Sequence, residues 1–197
     1  IAMGSGHFLV ATIDRIERRF ISWLDENPTP GVTRELENLK AAAKRELGEL
    51  ADAVMIEDSQ LLRRMIARRC IYGLDLNHLT VQLAKLSIWI HTFVPGLPLS
   101  LLDHNLVHGN ALVGVGSLDE IRKKFEESSN TLFAVDSDKL LSQAAKPLEM
   151  LAKLSDASLK DISIGRSLIR EAKLKTEEAK ALCDLITAYP VSNDPRL

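Results

Sequence analysis

Apolar residues recur at helical spacing through most of this chain. After Gly4-Ser5-Gly6, the positions Phe8, Ile13, Ile16, Phe20, Ile21 and Leu24 predict a first helix. Asn27-Pro28-Thr29-Pro30-Gly31 stops it. Val32, Leu36, Leu39, Ala43, Leu47, Leu50 and Val54 then form one apolar stripe among Glu, Lys and Arg, the pattern of a surface helix with one buried side. Ser59 is placed to cap a short helix ending near Arg69.

The period changes at Cys70-Ile71-Tyr72-Gly73-Leu74-Asp75-Leu76, a short β-prone run ending in a carboxylate, which predicts a buried parallel strand. Asn77 caps the next predicted helix, which runs to about Phe93. Its Leu79, Val81, Leu83, Ala84, Leu86, Ile88, Trp89 and Ile90 leave little polar surface, so it is expected to lie against a sheet or a second domain. Pro95-Gly96-Leu97-Pro98 ends it, and residues 99–110 read as irregular or short-strand sequence. Ala111 to Val115 suits a brief strand, the segment from Leu118 with Ile121 and Phe125 a helix, and Leu132 to Val135 a strand or extended linker.

The last third carries two facing stripes. Leu140, Leu141, Ala144, Leu148, Leu151 and Leu154 form one, and Leu168, Ile169, Ala172, Ala179, Leu182 and Ile186 the other, which predicts an antiparallel helical hairpin. The expected organisation is a partial core over residues 1–135, with a helical insertion near 32–54, followed by a hairpin and tail over 136–197.

Composition narrows the class. With 197 residues, 46% hydrophobic and 26% charged, the chain suits one globular domain with a real core. A formal net charge of −2 argues against a surface devoted to polyanions, without excluding a local basic patch. Cys70 and Cys183 make no disulfide framework, so a cytoplasmic setting is expected. No apolar run reaches the length of a membrane span, and the first ten residues do not form a secretory signal.

The candidate chemistry begins at the glycine turn. Two glycines let the backbone turn tightly and approach a ligand, and the helix that follows offers free N–H donors. A Gly-x-Gly alone is also the mark of an ordinary loop. Asp75 adds specificity, because an acidic residue ending the second strand of a doubly wound sheet accepts hydrogen bonds from ribose hydroxyls. The same carboxylate would also serve as a plain turn or cap residue. The distance from turn to carboxylate far exceeds the ~20 residues of a plain dinucleotide fold, and Leu9 stands where a third glycine would be, which disfavours a nicotinamide or flavin binder.

Three ordered segments resemble those of amino-group DNA methyltransferases. Ala2-Met3-Gly4-Ser5-Gly6-His7-Phe8-Leu9 resembles the first motif, Asp-Pro-Ala-x-Gly-Ser-Gly-x-Phe/Leu. Ile71-Tyr72-Gly73-Leu74-Asp75-Leu76-Asn77, followed by Val81, Leu83-Ala84-Lys85-Leu86 and Trp89, resembles the second. Leu99 to Leu106 and then Gly109-Asn110-Ala111-Leu112-Val113-Gly114 resemble the third-motif region. The nearest subgroup is the large restriction–modification polypeptides, including combined restriction–methylation enzymes and phage-defence methylases. The similarity is clearest over roughly residues 1–25 and 65–115.

That resemblance implies a helix-rich α/β fold: an incomplete Rossmann-like core that binds S-adenosyl-L-methionine, with the helical hairpin added. It implies a cofactor site made by Ala2, Gly4, Ser5, Gly6, Phe8, Asp75, Leu76 and Asn110. The Gly4–Gly6 turn would border the methionine portion, Asp75 would bind the ribose hydroxyls, Leu76 would pack on the adenine and Asn110 would lie near the adenine edge. DNA would be the partner of a larger, adenine-specific methyltransferase of which this chain is a piece.

Two departures limit the chemistry. Ile1 stands where the family has a proline, and the acidic residue before that proline is absent. No Asn/Asp-Pro-Pro-aromatic motif occurs; Asn193-Asp194-Pro195-Arg196 is a partial echo. Methylating an adenine amino group requires a flipped, stacked base polarised by that motif, so no catalytic residue is assigned and the isolated chain is expected to be inactive. An incomplete sheet leaves an edge and apolar helix faces uncovered, so self-association is expected.

Other candidates carry less. His104 and His108 lie four apart beside Asp103, a spacing that suits zinc on a helix, but the flanking Gly109 and prolines oppose a helix there and no metal site is assigned. Arg63, Arg64, Arg68 and Arg69 read as a solvated helix face more readily than as a phosphate contact. Trp23 and Trp89 read as core or interface residues. The competing functional class is a non-catalytic helical interaction module with a degenerate cofactor fold; another nucleotide-dependent enzyme is disfavoured by the spacing above.

Overall fold

The computed structural model describes residues 2–110, 112 and 137–192. The segments from Ala111 to Val115, from Leu118 and from Leu132 to Val135, the expected boundary at residue 135, and the tail after Ser192 lie outside the described residues. The chain divides into two compact units, residues 1–109 with 154–165, and residues 110–153 with 166–197.

In the first unit, helix α1 (His7–Glu26) is followed by α2 (Pro30–Leu47), a 3-10 turn (Gly48–Leu50), α3 (Asp58–Cys70), strand β1 (Gly73–Asp75), α4 (His78–His91) and β2 (Leu106–His108). The fold is helix-rich α/β. The strands are parallel, with Gly73 opposite Leu106, Leu74 opposite Val107 and Asp75 opposite His108. Parallel strands need a crossover, which α4 supplies. A second connection of the same kind runs from Ala2, which makes a parallel bridge to Leu74, through the first three helices back to β1. β1 is therefore flanked by Ala2 on one side and β2 on the other.

The main core joins Met3, Leu9, Ile13, Leu62, Ile66, Val81, Ile88 and Leu106, drawn from the segment before α1 and from α1, α3, α4 and β2. A second cluster of Leu39, Ala43, Ile56, Leu61, Val94 and Leu97 seats α2 against α3 and the loop after α4. Gly96 belongs to this contact. It has a left-handed φ of 82°, and a β-carbon there would strike the Ala43 carbonyl.

Several local expectations need correction. The buried positions of α1 are Leu9, Ile13 and Glu17, whereas Phe8 is exposed. Its core face is therefore rotated from the Phe8-based stripe. The cap of α3 is Glu57, not Ser59: Glu57 and Gln60 form a reciprocal capping box, and the Ser59 hydroxyl donates to the Glu57 carboxylate. β1 is three residues long, and Tyr72 before it is exposed, because β2 pairs only from Gly73 onward. Two of the four arginines of α3 are not on a solvated face: Arg64 is 2% exposed and Arg68 is also buried, whereas Arg69 is exposed and Arg63 is half-buried. Trp23 is half exposed and stacks on Phe20, while the Trp89 indole N–H donates to the Ser100 carbonyl.

The buried arginines have one shared counter-ion. The Arg64 guanidinium meets Asp156 at 2.9 Å, and Arg68 lies 3.7 Å from the same carboxylate. Arg64 also donates to the carbonyls of Pro98 and Asp156, and Arg68 to that of Leu154. Burial lowers the pKa of both guanidiniums, with Asp156 opposing that effect. This cluster fastens residues 154–156 to α3.

In the second unit, α5 (Ser137–Lys153) contains a buried Pro147, and Leu151 is buried. Helix α6 (Leu159–Ser192) starts in the first unit and continues into the second, with Leu168, Ile169, Ala172 and Ala179 buried. Among the described residues, no helix is long and apolar enough to cross a membrane.

Candidate functional site

The glycine turn and Asp75 meet at the carboxyl end of β1. Gly4 and Gly6 have φ of 57° and 87°, left-handed values that a side chain resists. The chain enters along β1, where Met3 N–H donates to the Leu74 carbonyl at 3.1 Å. It then reverses so that Gly6 caps α1 and the Gly6 carbonyl accepts from Val10. The first amides of α1 have no acceptor within the helix and so remain donors at this end of the sheet.

Each residue of the turn is held. Gly4 N–H donates to Asp75 Oδ2 at 3.0 Å. The Ser5 carbonyl accepts from the Ser87 hydroxyl of α4 at 3.0 Å, and the Ser5 hydroxyl lies 3.0 Å from His7 Nδ1. Gly6 rests on α4 so closely that a β-carbon would lie 3.0 Å from Ala84 Cα. At Gly4 a β-carbon would meet nothing within 4 Å, so the backbone there faces open space.

Asp75 is 9% exposed. Oδ1 accepts from Asn77 N–H at 2.9 Å while Oδ2 takes Gly4. The hydrogen bond from Asn77, then that from Gly4, hold the carboxyl below its ordinary pKa; partial desolvation opposes them and His108 assists them. A carboxylate offers about four lone-pair sites, so two further donors can be accepted here. The Asn77 side chain accepts from Leu79 N–H at 2.9 Å and starts α4, as its sequence position indicated.

Leu76 follows Asp75 with 67% of its surface exposed. Its backbone is fixed all the same, because the His108 ring nitrogen Nε2 lies 2.7 Å from the Leu76 carbonyl. Ala2 bridges to Leu74 beside the turn. The structure thus brings Ala2, Gly4, Ser5, Gly6, Asp75 and Leu76 to one end of the small sheet. Phe8 is on the first turn of α1 and 65% exposed. Asn110 begins the second unit, and its side chain accepts from Leu112 N–H at 2.8 Å. Sequence reasoning missed Ser87, which no distinctive spacing marks, and the role of His108, whose four-residue spacing from His104 pointed toward zinc rather than toward the Leu76 carbonyl.

A separate cavity of about 410 Å³ lies among α1, α2 and α3, lined by Phe20, Val32, Leu62, Met65, Ile66 and Arg69. The Arg69 guanidinium there is held by both oxygens of Glu35, at 2.7 and 2.8 Å. No group of three or more His, Cys, Asp or Glu suited to a metal occurs among the described residues, and His104 and His108 do not share a helix. No protein-family model, curated protein or solved structure matches the chain.

Proposed function

We propose that this chain is the S-adenosyl-L-methionine-binding part of an adenine-specific DNA methyltransferase from a restriction–modification or phage-defence system, with an incomplete Rossmann-like core and a cytoplasmic location. The single observation that carries the reading is the hydrogen bond from Gly4 N–H to Asp75, which joins a glycine turn and an acidic strand end at neighbouring parallel segments. Clefts at the carboxyl ends of such strands are the usual ligand sites of open α/β sheets.

In this reading the free acceptor capacity of Asp75 takes the ribose hydroxyls, and exposed Leu76 offers an apolar surface to the adenine. The first amides of α1 face the carboxylate of the methionine portion, because a helix N-terminus favours negative charge. The sulfonium adds a positive charge that the nearby carbonyls and carboxylate favour. DNA is engaged through the larger protein. The chain itself holds no Asn/Asp-Pro-Pro-aromatic sequence, so methyl transfer by the isolated chain is not expected.

Calorimetric titration with the cofactor tests this. Saturable binding that is lost in Asp75→Ala supports the reading, and no heat at high cofactor concentration in the wild type refutes it.

One observation favours the second reading, an interaction module. Leu79, Leu83, Leu86 and Ile90 of α4 are all exposed, and their spacing places them along one side of that helix. A cofactor-blind chain that self-associates would fit this alternative.

A further inference from the structure

We propose that His108 is a positioning residue for the nucleoside end of the site. This inference rests on the cofactor reading above. His108 ends β2 directly opposite Asp75 in the parallel register, and its Nε2 lies 2.7 Å from the Leu76 carbonyl. A carbonyl only accepts, so Nε2 carries the proton and the ring donates.

The geometry gives that bond a specific task. Asp75, Leu76 and Asn77 form the turn between β1 and α4. Its two ends are fixed by Asp75 Oδ2 to Gly4 N–H, Asp75 Oδ1 to Asn77 N–H, the Asp75 carbonyl to Gly109 N–H, and Asn77 Oδ1 to Leu79 N–H. At the middle residue the Leu76 carbonyl accepts from His108. Without His108 the Leu76 carbonyl loses its acceptor bond, and the peptide between Leu76 and Asn77 is held only by the Asn77 N–H bond to Asp75, so the turn between the acidic side chain and the exposed leucine is held less firmly. His78, the first residue of α4, meets the His108 ring edge-on, with centroids 5.9 Å apart and planes at 79°. That contact limits rotation of the imidazole. His108 therefore touches no ligand in this proposal; it orders the two groups that do, for a ligand built on a ribose and a purine.

The test uses the intact chain, with S-adenosyl-L-methionine as probe, in wild type, His108→Ala and His108→Gln. His108 is exposed, so both variants are expected to keep the wild-type melting transition within a few degrees. Losing a hydrogen bond worth about 1 kcal/mol is expected to weaken binding about five- to tenfold in the alanine variant. Glutamine, whose amide N–H reaches the same carbonyl, is expected to restore most of that affinity. Equal affinity of His108→Ala and wild type overturns the proposal, as does a glutamine variant no better than alanine. A wild type that binds no cofactor overturns the functional reading instead, and the proposal with it. Proton–nitrogen NMR of the imidazole ring gives a separate readout on the free protein: the Nε2-protonated tautomer is expected, and the Nδ1-protonated tautomer contradicts the hydrogen bond.

Discussion

Gly4 and Asp75 are 71 positions apart in sequence, yet the Gly4 N–H donates to Asp75 Oδ2 across 3.0 Å. That bond ties a turn with two left-handed glycines in close succession to the end of β1. It also engages just one of the carboxylate oxygens, and the other serves Asn77.

Asp75→Asn is therefore expected to lower the melting temperature, because an amide offers one oxygen where two N–H groups seek acceptors. The pH dependence follows from the sign of the shift. Asp75 has a lowered folded-state pKa, so its contribution is present above the ordinary carboxylate range, near ~3.9, and is lost as pH falls through the folded value. Thermal melts at neutral pH are expected to separate wild type from Asp75→Asn, with the gap closing in strong acid. A constant gap at all pH values contradicts this.

The two turn glycines are expected to differ in their tolerance of alanine. Both have positive φ, which costs a side chain about 1 kcal/mol. At Gly4 the space beyond is open, so Gly4→Ala is expected to lose about that much. At Gly6 the new methyl meets the α4 backbone at Ala84, and Gly6→Ala is expected to cost about 2–3 kcal/mol. Urea denaturation measures both, and equal losses would show that contact with α4 is not what requires glycine at position 6.

Much of this site was readable from local chemistry. Left-handed turns demand glycine, and Asn77 announced the start of α4, because both constraints act over a few residues. Long-range pairing left no such trace. Arg64 and Arg68 carry the periodicity of a surface helix, and their counter-ion Asp156 lies on a segment that sequence spacing alone does not connect to α3. Lys85 misleads in the same way: it is buried in α4 and paired with Asp103 at 2.6 Å. Ser59 was a chemically sensible cap, but the Glu57 and Gln60 pair satisfied two backbone donors where a serine satisfies one.

Asp156→Ala is expected to destabilise the chain by about 3–5 kcal/mol, because it leaves two buried guanidiniums without their shared carboxylate. Replacing Arg64 by methionine in that background is expected to recover part of the loss, since one of the uncompensated charges is then removed. Chemical denaturation of the single and double variants checks this. Additive losses contradict the coupling.

His104 gives a second pH signature. Its ring is partly buried, its Nδ1 makes no hydrogen bond, and its pKa is lowered by desolvation and then by Arg68, against the opposing pull of Asp103. A histidine kept neutral by the fold stabilises the chain fully above its unfolded value, near ~6.5, and loses that contribution as pH falls below it. The melting temperature of wild type is expected to fall between about pH 7 and about pH 5, and that of His104→Gln to fall less. Parallel curves would show that His104 is not responsible.

The most direct test of the cofactor site is to follow the backbone amides by NMR while S-adenosyl-L-methionine is added. Saturable shifts are expected to concentrate at Gly4 to Phe8 and at Asp75 to His78. An unchanged spectrum, or shifts confined to the Phe20 and Arg69 cavity, would contradict a nucleoside-cofactor site at this glycine turn.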